Sequence, residues 1–216
     1  MTARHARLPG VPRPRAAQTR LLSTIVAEAS PKAPTPAEFA AAVASLTGAS
    51  LRPEVVIERV KPPQRLAPWS FALAVDVAGA PSASGRLVLL HDPAGHESWH
   101  GTLRLVGFAG AEMDPEIGWD PLLAEVGWSW LTDALRDHGA RYTAAGGTIT
   151  QTASTRFGEL AGPQATVEIE LRASWTPLDT DLARHLRAWA DLLCTAAGLP
   201  PEGVSAFPAR RDRGDA

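Results

Sequence analysis

The chain has 216 residues, the size of one ordinary domain, and its 45% hydrophobic and 20% charged residues separate it from disordered sequences. A net charge of -2 gives no electrostatic pull toward nucleic acid or an anionic membrane, and there is no apolar run of about 18 residues to span a bilayer. The single cysteine, Cys194, excludes an intrachain disulfide and points to a reducing, cytoplasmic setting.

Residues 1–33 read as a disordered tail rich in Arg and Pro, with Arg4, Arg7, Arg13, Arg15 and Arg20 set among Pro9, Pro12 and Pro14. The stretch Leu21 to Val26 followed by Ala27-Glu28-Ala29 has the outline of a secretory signal. It is too short, however, and Ser23 and Thr24 interrupt it, so a flexible arm or a mis-assigned start codon is expected instead. One α+β domain is expected over residues 34–208, and a charged, disordered tail over 209–216.

The domain opens with a signalled helix. Thr35 is placed as its cap, Pro36 at the first helical position and Glu38 as the capping-box partner; Phe39, Val43 and Leu46 follow at helical spacing and Gly48 ends it. Strands come next. Val55 to Val60 is short and β-branched, and Trp69 to Val77 alternates, with Trp69, Phe71, Leu73, Val75 and Val77 on one face. Arg86 to His91 and Trp99 to Phe108 are expected to form an antiparallel hairpin through Asp92-Pro93-Ala94-Gly95, which has the residue pattern of a type I turn.

A second helix is expected from Asp120-Pro121 to about His138-Gly139, with Leu123, Val126, Trp130 and Leu131 on its apolar face. Trp128 lies about 200° around the axis from Trp130, so the apolar stripe is wide and a tryptophan is left for a second contact. Two more strands follow. Tyr142 to Ser154 carries a bulge or turn at Gly146-Gly147, and Ala165 to Trp175 alternates with Glu168, Glu170 and Arg172 facing outward. A last helix from Asp179-Thr180 carries Leu182, Leu186, Trp189, Leu193 and Ala196 and stops at Gly198. The order α-ββββ-α-ββ-α predicts a mostly antiparallel sheet of about six strands with three helices packed on one face.

The sharpest chemical motif is His96-Glu97-Ser98-Trp99-His100, which matches the zinc-protease pattern H-E-x-x-H. That pattern needs a helix, where residues four apart share a face. On the strand expected here the two imidazoles lie about 13 Å apart and cannot share a metal. A lesser version pairs His91 and His96 across the hairpin, with Asp92 nearby. The simpler reading is two solvated histidines at a hairpin tip. The acidic run Glu112, Asp114, Glu116, Asp120 and Glu125 suits the start of a helix, and Cys194 reads as a buried thiol on an apolar face.

Several stretches are together similar to an actinobacterial family of uncharacterised proteins, the domain of unknown function numbered three thousand. They include Gly85-Arg86-Leu87-Val88-Leu89-Leu90-His91-Asp92-Pro93, Glu125-Val126-Gly127-Trp128-Ser129-Trp130-Leu131, Tyr142-Thr143-Ala144-Ala145-Gly146-Gly147-Thr148 and Ala173-Ser174-Trp175-Thr176-Pro177-Leu178-Asp179. The resemblance runs over about residues 35 to 208. It implies a bacterial cytosolic protein and brings no activity, so no catalytic residue is carried over. The element order also resembles that of small secretion-chaperone-like domains, which are dimeric α+β peptide binders.

The leading expectation is a non-enzymatic adaptor or chaperone-like domain without a cofactor. It is expected to use Trp128, Trp130, Glu170 and Arg172 to hold a protein partner or a second copy of itself, with no membrane or nucleic-acid role. The competing expectation is a small metal-dependent hydrolase built on the His91–His100 hairpin, with His91 and His96 as candidate ligands. A nucleic-acid accessory role for the arginine-rich first residues is the third, and it predicts steeply salt-dependent binding.

Overall fold

A computed structural model describes residues 34–78, 83–162 and 166–204, so both expected tails, 1–33 and 209–216, lie outside the described residues. Six strands form one fully antiparallel sheet: β1 (Val55–Val60), β2 (Trp69–Val77), β3 (Ala83–His96), β4 (Gly101–Met113), β5 (Tyr142–Ser154) and β6 (Thr166–Pro177). Their order across the sheet is β1-β2-β3-β4-β6-β5, which leaves β1 and β5 at the edges. The helices are α1 (Ala37–Thr47), a one-turn α2 (Pro115–Gly118), α3 (Leu123–Asp137) and α4 (Ala183–Ala196). The α+β class, the six strands and the antiparallel pairing are as the sequence predicts; α2 is an added fourth helix.

Alternation decides which side of the sheet is covered. In β2 the expected face is buried at Phe71, Leu73, Val75 and Val77 and half-buried at Trp69; in β6 Val167, Ile169, Leu171, Ala173 and Trp175 are buried. These side chains meet α4, whose His185, Leu186, Trp189, Leu192 and Leu193 are all buried, together with Leu131 and Leu135 of α3 and Phe39 and Leu46 of α1. Backbone approach is close here. A Cβ on Gly107 of β4 would stand 2.5 Å from two ring carbons of Trp189, so only glycine leaves room for the indole.

The helix starts differ from expectation in a consistent way. Thr35 and Glu38 do not form a capping box: Pro36 itself is the N-cap, with no side-chain cap bond, and the Glu38 carboxylate instead accepts bonds from the Thr102 hydroxyl at 3.0 and 2.9 Å. Asp120 and Asp179 do not cap the helices that follow. Each bonds the amide two residues on, Leu122 at 2.8 Å and Asp181 at 3.0 Å, and makes an Asx turn ahead of a helix that begins at Leu123 or Ala183. The α4 start is capped from afar, by Ser45 Oγ accepting from the Ala183 amide at 2.9 Å. The α4 stop is as expected. Gly198 takes φ 73°, and the Gly198 and Leu199 amides bond the Thr195 and Cys194 carbonyls.

On α3 the expected apolar face is buried at Leu123 and Leu131, half-buried at Trp130 and continued by Leu135, but Val126 is exposed and Gly127 takes its place against the sheet. A Cβ on Gly127 would lie 3.1 Å from Ile169, so the glycine lets the helix sit close.

Candidate functional site

The hairpin expected to carry metal chemistry is formed, but it turns elsewhere. Strand β3 runs on through Asp92–Gly95 to His96, with a register irregularity between His91 and His96, and the reversal is the 3-10 turn Glu97–Trp99 closed by His100 at φ 56°. Asp92 still makes the local bond expected of it, from the Ala94 amide at 3.0 Å, and Gly95 takes φ 75°. A turn sequence has become a bulge, because the ladder resumes at His96↔Gly101.

His91 and His96 are therefore on one strand, not paired across two. The His91 ring is buried, stacked on Phe39 at 5.9 Å, with Nδ1 3.1 Å from the Thr102 carbonyl oxygen and 3.6 Å from Glu38. His96 is exposed, 2.9 Å from Ser98 Oγ and stacked on Trp99 at 5.1 Å. Among the described residues no group of three or more His, Cys, Asp or Glu side chains is placed to hold a metal.

The four residues expected to bind a partner fall on two sides of the sheet. Trp128 and Trp130 are on the helical side, both half-buried. Trp128 lies over Gly147 of β5, where an added Cβ would be 2.8 Å from its ring, and Trp130 helps line a small apolar pocket of about 10 Å³ between α3, α4 and the sheet. Both tryptophans do packing work on their inner edges. Glu170 and Arg172 project from β6 on the opposite, uncovered face. Arg172 Nε donates to Glu170 Oε1 at 2.6 Å, and its guanidinium stands 5.5 Å from the centre of the Phe108 ring. The bond to Glu170 raises the Arg172 pKa, so the cation is secure.

Phe108 and Glu170 of that trio line a groove of about 340 Å³ together with Glu112, Thr150, Thr152 and Glu168. Phe108 is 39% exposed although it sits in the middle strand region of a sheet. At the other end the same face is closed. Ala72, Val88 and Leu90 are buried there beneath Val60, Ala67, Trp99 and Val106. Coverage thus stops partway across, and the uncovered part is the part with Phe108, Arg172 and the three glutamates.

Arg104 fixes the far border of this face. It donates to the Ala144 carbonyl at 2.8 Å, to Thr176 Oγ1 at 3.0 Å and to Ser174 Oγ at 2.7 Å, joining β4, β6 and β5; burial lowers its pKa. The carbonyl it holds belongs to a bulge between Thr143 and Gly146, where Ala144 takes φ 49°. That one extra residue flips the strand's parity, so Tyr142 and Ile149 both pack on the helical side while Thr148, Thr150 and Thr152 face out. The sequence places a bulge near the paired glycines, but nothing local marks Arg104 as its anchor.

A second polar groove, about 240 Å³, lies between α3 and α4 and is lined by Arg52, Trp130, Asp133, Asp137, His138 and Asp191. His138 closes the C-terminus of α3 and its Nε2 is 2.6 Å from Asp191 Oδ2 on α4. Arg52 donates twice to Glu54, both at 3.1 Å, and that bond holds the Glu54 carboxyl below its ordinary value. Cys194 is buried nearby, and desolvation pushes its thiol pKa up, away from thiolate chemistry. The His138–Asp191 pair clasps the end of α3 to α4.

The family model described as protein of unknown function (DUF3000) matches residues 35–205. The chain belongs to that family. The DUF3000 match spans every strand and helix described above, and so includes both the uncovered sheet face and the helical clasp. No curated protein and no solved structure matches the chain. Among the described residues no helix is long and apolar enough to cross a membrane.

Proposed function

We propose that this DUF3000 chain is a non-enzymatic protein-binding module, an adaptor or chaperone-like domain of the actinobacterial cytoplasm, and that it holds its partner on the uncovered sheet face. The observation that carries this reading is Phe108. It is a large apolar side chain left exposed on the sheet, stacked by Arg172 and rimmed by a groove that a protein segment can fill. Glu112, Glu168 and Glu170 outnumber Arg172 and Arg86, the residue opposite Phe108 on β3, so the complementary partner carries basic and apolar side chains together. The half-buried Trp128 and Trp130 act as packing that stiffens the edge of this face.

A photoreactive phenylalanine analogue at position 108, expressed in the native host, tests the reading. The expected result is a crosslinked adduct with a second protein that disappears when Glu168 and Glu170 are both changed to Lys. A folded protein that yields no adduct from position 108, or that carries stoichiometric metal when purified without a histidine tag, overturns it.

A further inference from the structure

The two edges of the sheet are treated very differently. Edge β1 is six residues long, contains Glu58 and Arg59, and is flanked by Pro53 and by Pro62-Pro63, all devices that discourage pairing with another strand. Edge β5 is thirteen residues, Tyr-Thr-Ala-Ala-Gly-Gly-Thr-Ile-Thr-Gln-Thr-Ala-Ser, with no charge and no proline, and from Ala145 to Ser154 every residue but Ile149 is exposed. An unguarded edge of this length is a template for another strand.

We propose that the strand it takes is β5 of a second copy, paired antiparallel across a two-fold axis at Thr150 to make one twelve-stranded sheet. The self-match is in the residues. Around a two-fold axis each residue meets its mirror position, so a self-pairing strand cannot carry charge near the axis, and β5 carries none. With Thr150 on the axis, Thr148 faces Thr152 of the partner on the open side, a ladder of β-branched hydroxyl pairs, while the helical side meets as Ile149 against Gln151 and Gly147 against Ala153.

The helical side also has apolar surface to contribute. The α2–α3 segment runs beside β5, with the Gly118 carbonyl bonded by Gln151 and Gly127 packed near Ile149. Ile117, Trp119, Leu122 and Val126 of that segment are exposed. A stable interface buries on the order of 1,200 Å² or more in total, and these side chains add to the area the strand supplies.

This inference goes beyond the sheet-face reading and concerns the purified chain alone. Sedimentation of the full chain is expected to give twice the 22.8 kDa chain mass. Thr150→Lys places two ammonium groups across the axis and is expected to weaken the dimer by more than about tenfold while circular dichroism is unchanged. Thr150→Cys is expected to form an intermolecular disulfide under mild oxidation. Directly opposed antiparallel residues lie about 4.5–5.5 Å apart, within disulfide range, and the only other thiol is buried. A monomer at about 100 μM, or a dimer that neither loses mass with Thr150→Lys nor crosslinks through Thr150→Cys, overturns the proposal. Adducts from position 108 are read in a separate experiment, so either proposal can fail alone.

Discussion

Buried side chains that leave no slack make the firmest predictions. Gly107 and Trp189 are such a pair, and Gly107→Ala forces a methyl into an indole held on all sides. We expect a loss of about 1–3 kcal/mol in urea unfolding, with the folded spectrum retained. His185 is another. It is buried, accepts the Trp175 indole N–H at 3.0 Å, and desolvation lowers its pKa from 6.5 to about 4. Between those values the unfolded chain takes up a proton that the folded chain refuses. Stability therefore falls as pH drops from about 6.5 and levels off below about 4, a loss of roughly 3 kcal/mol from this residue. The difference in pH slope between wild type and His185→Gln isolates that contribution; parallel slopes would refute it. Of these residues the sequence marks Trp189, by its helical spacing, and Trp175, by its place on the inward face of an alternating strand. Arg104 to Ala144, His138 to Asp191 and Ser45 to Ala183 are partnerships across 40, 53 and 138 positions, and no local pattern encodes them.

Elements were far more legible, because period 2 and period 3.6 report directly which face is buried. Strands β2 and β6 and the α4 stripe stand where alternation and spacing put them. Errors gather at the ends. Asp followed by Pro or Thr reads as a helix cap, yet the same carboxylate serves an Asx turn equally well, and Asp120 and Asp179 both do the latter. The hairpin turn was misplaced for the same reason. Asp92-Pro93-Ala94-Gly95 has turn chemistry, but a bulge uses it just as well when the ladder continues past it. At this scale the account predicts that β5 depends on Arg104. Arg104→Met removes three hydrogen bonds from a cation, and we expect a loss of about 2 kcal/mol with amide exchange quickening first in Tyr142 to Gly147. Uniform quickening over the whole sheet would contradict the anchoring role.

Among the described elements, the three long helices lie on one side, and on the other side Val60, Ala67, Trp99 and Val106 cover only the cluster of Ala72, Val88 and Leu90. The sequence identified Glu170 and Arg172 as outward-facing from alternation alone. It could not show that Phe108 joins them, because β4 and β6 come together only in the sheet. Phe108↔Arg172 is a cross-strand register pair. Trp128 and Trp130 stand on the helical side, as expected of a helix packed on the covered face. Phe108→Ala removes an exposed ring, so we expect stability to change by no more than about 0.5 kcal/mol while partner binding is lost. The most direct measurement is native mass spectrometry of the wild-type chain and Phe108→Ala, each isolated gently from the native host. The account predicts a second protein retained by the wild type and absent from the variant; a wild-type chain that carries no protein partner, or a partner held equally by both, would contradict it.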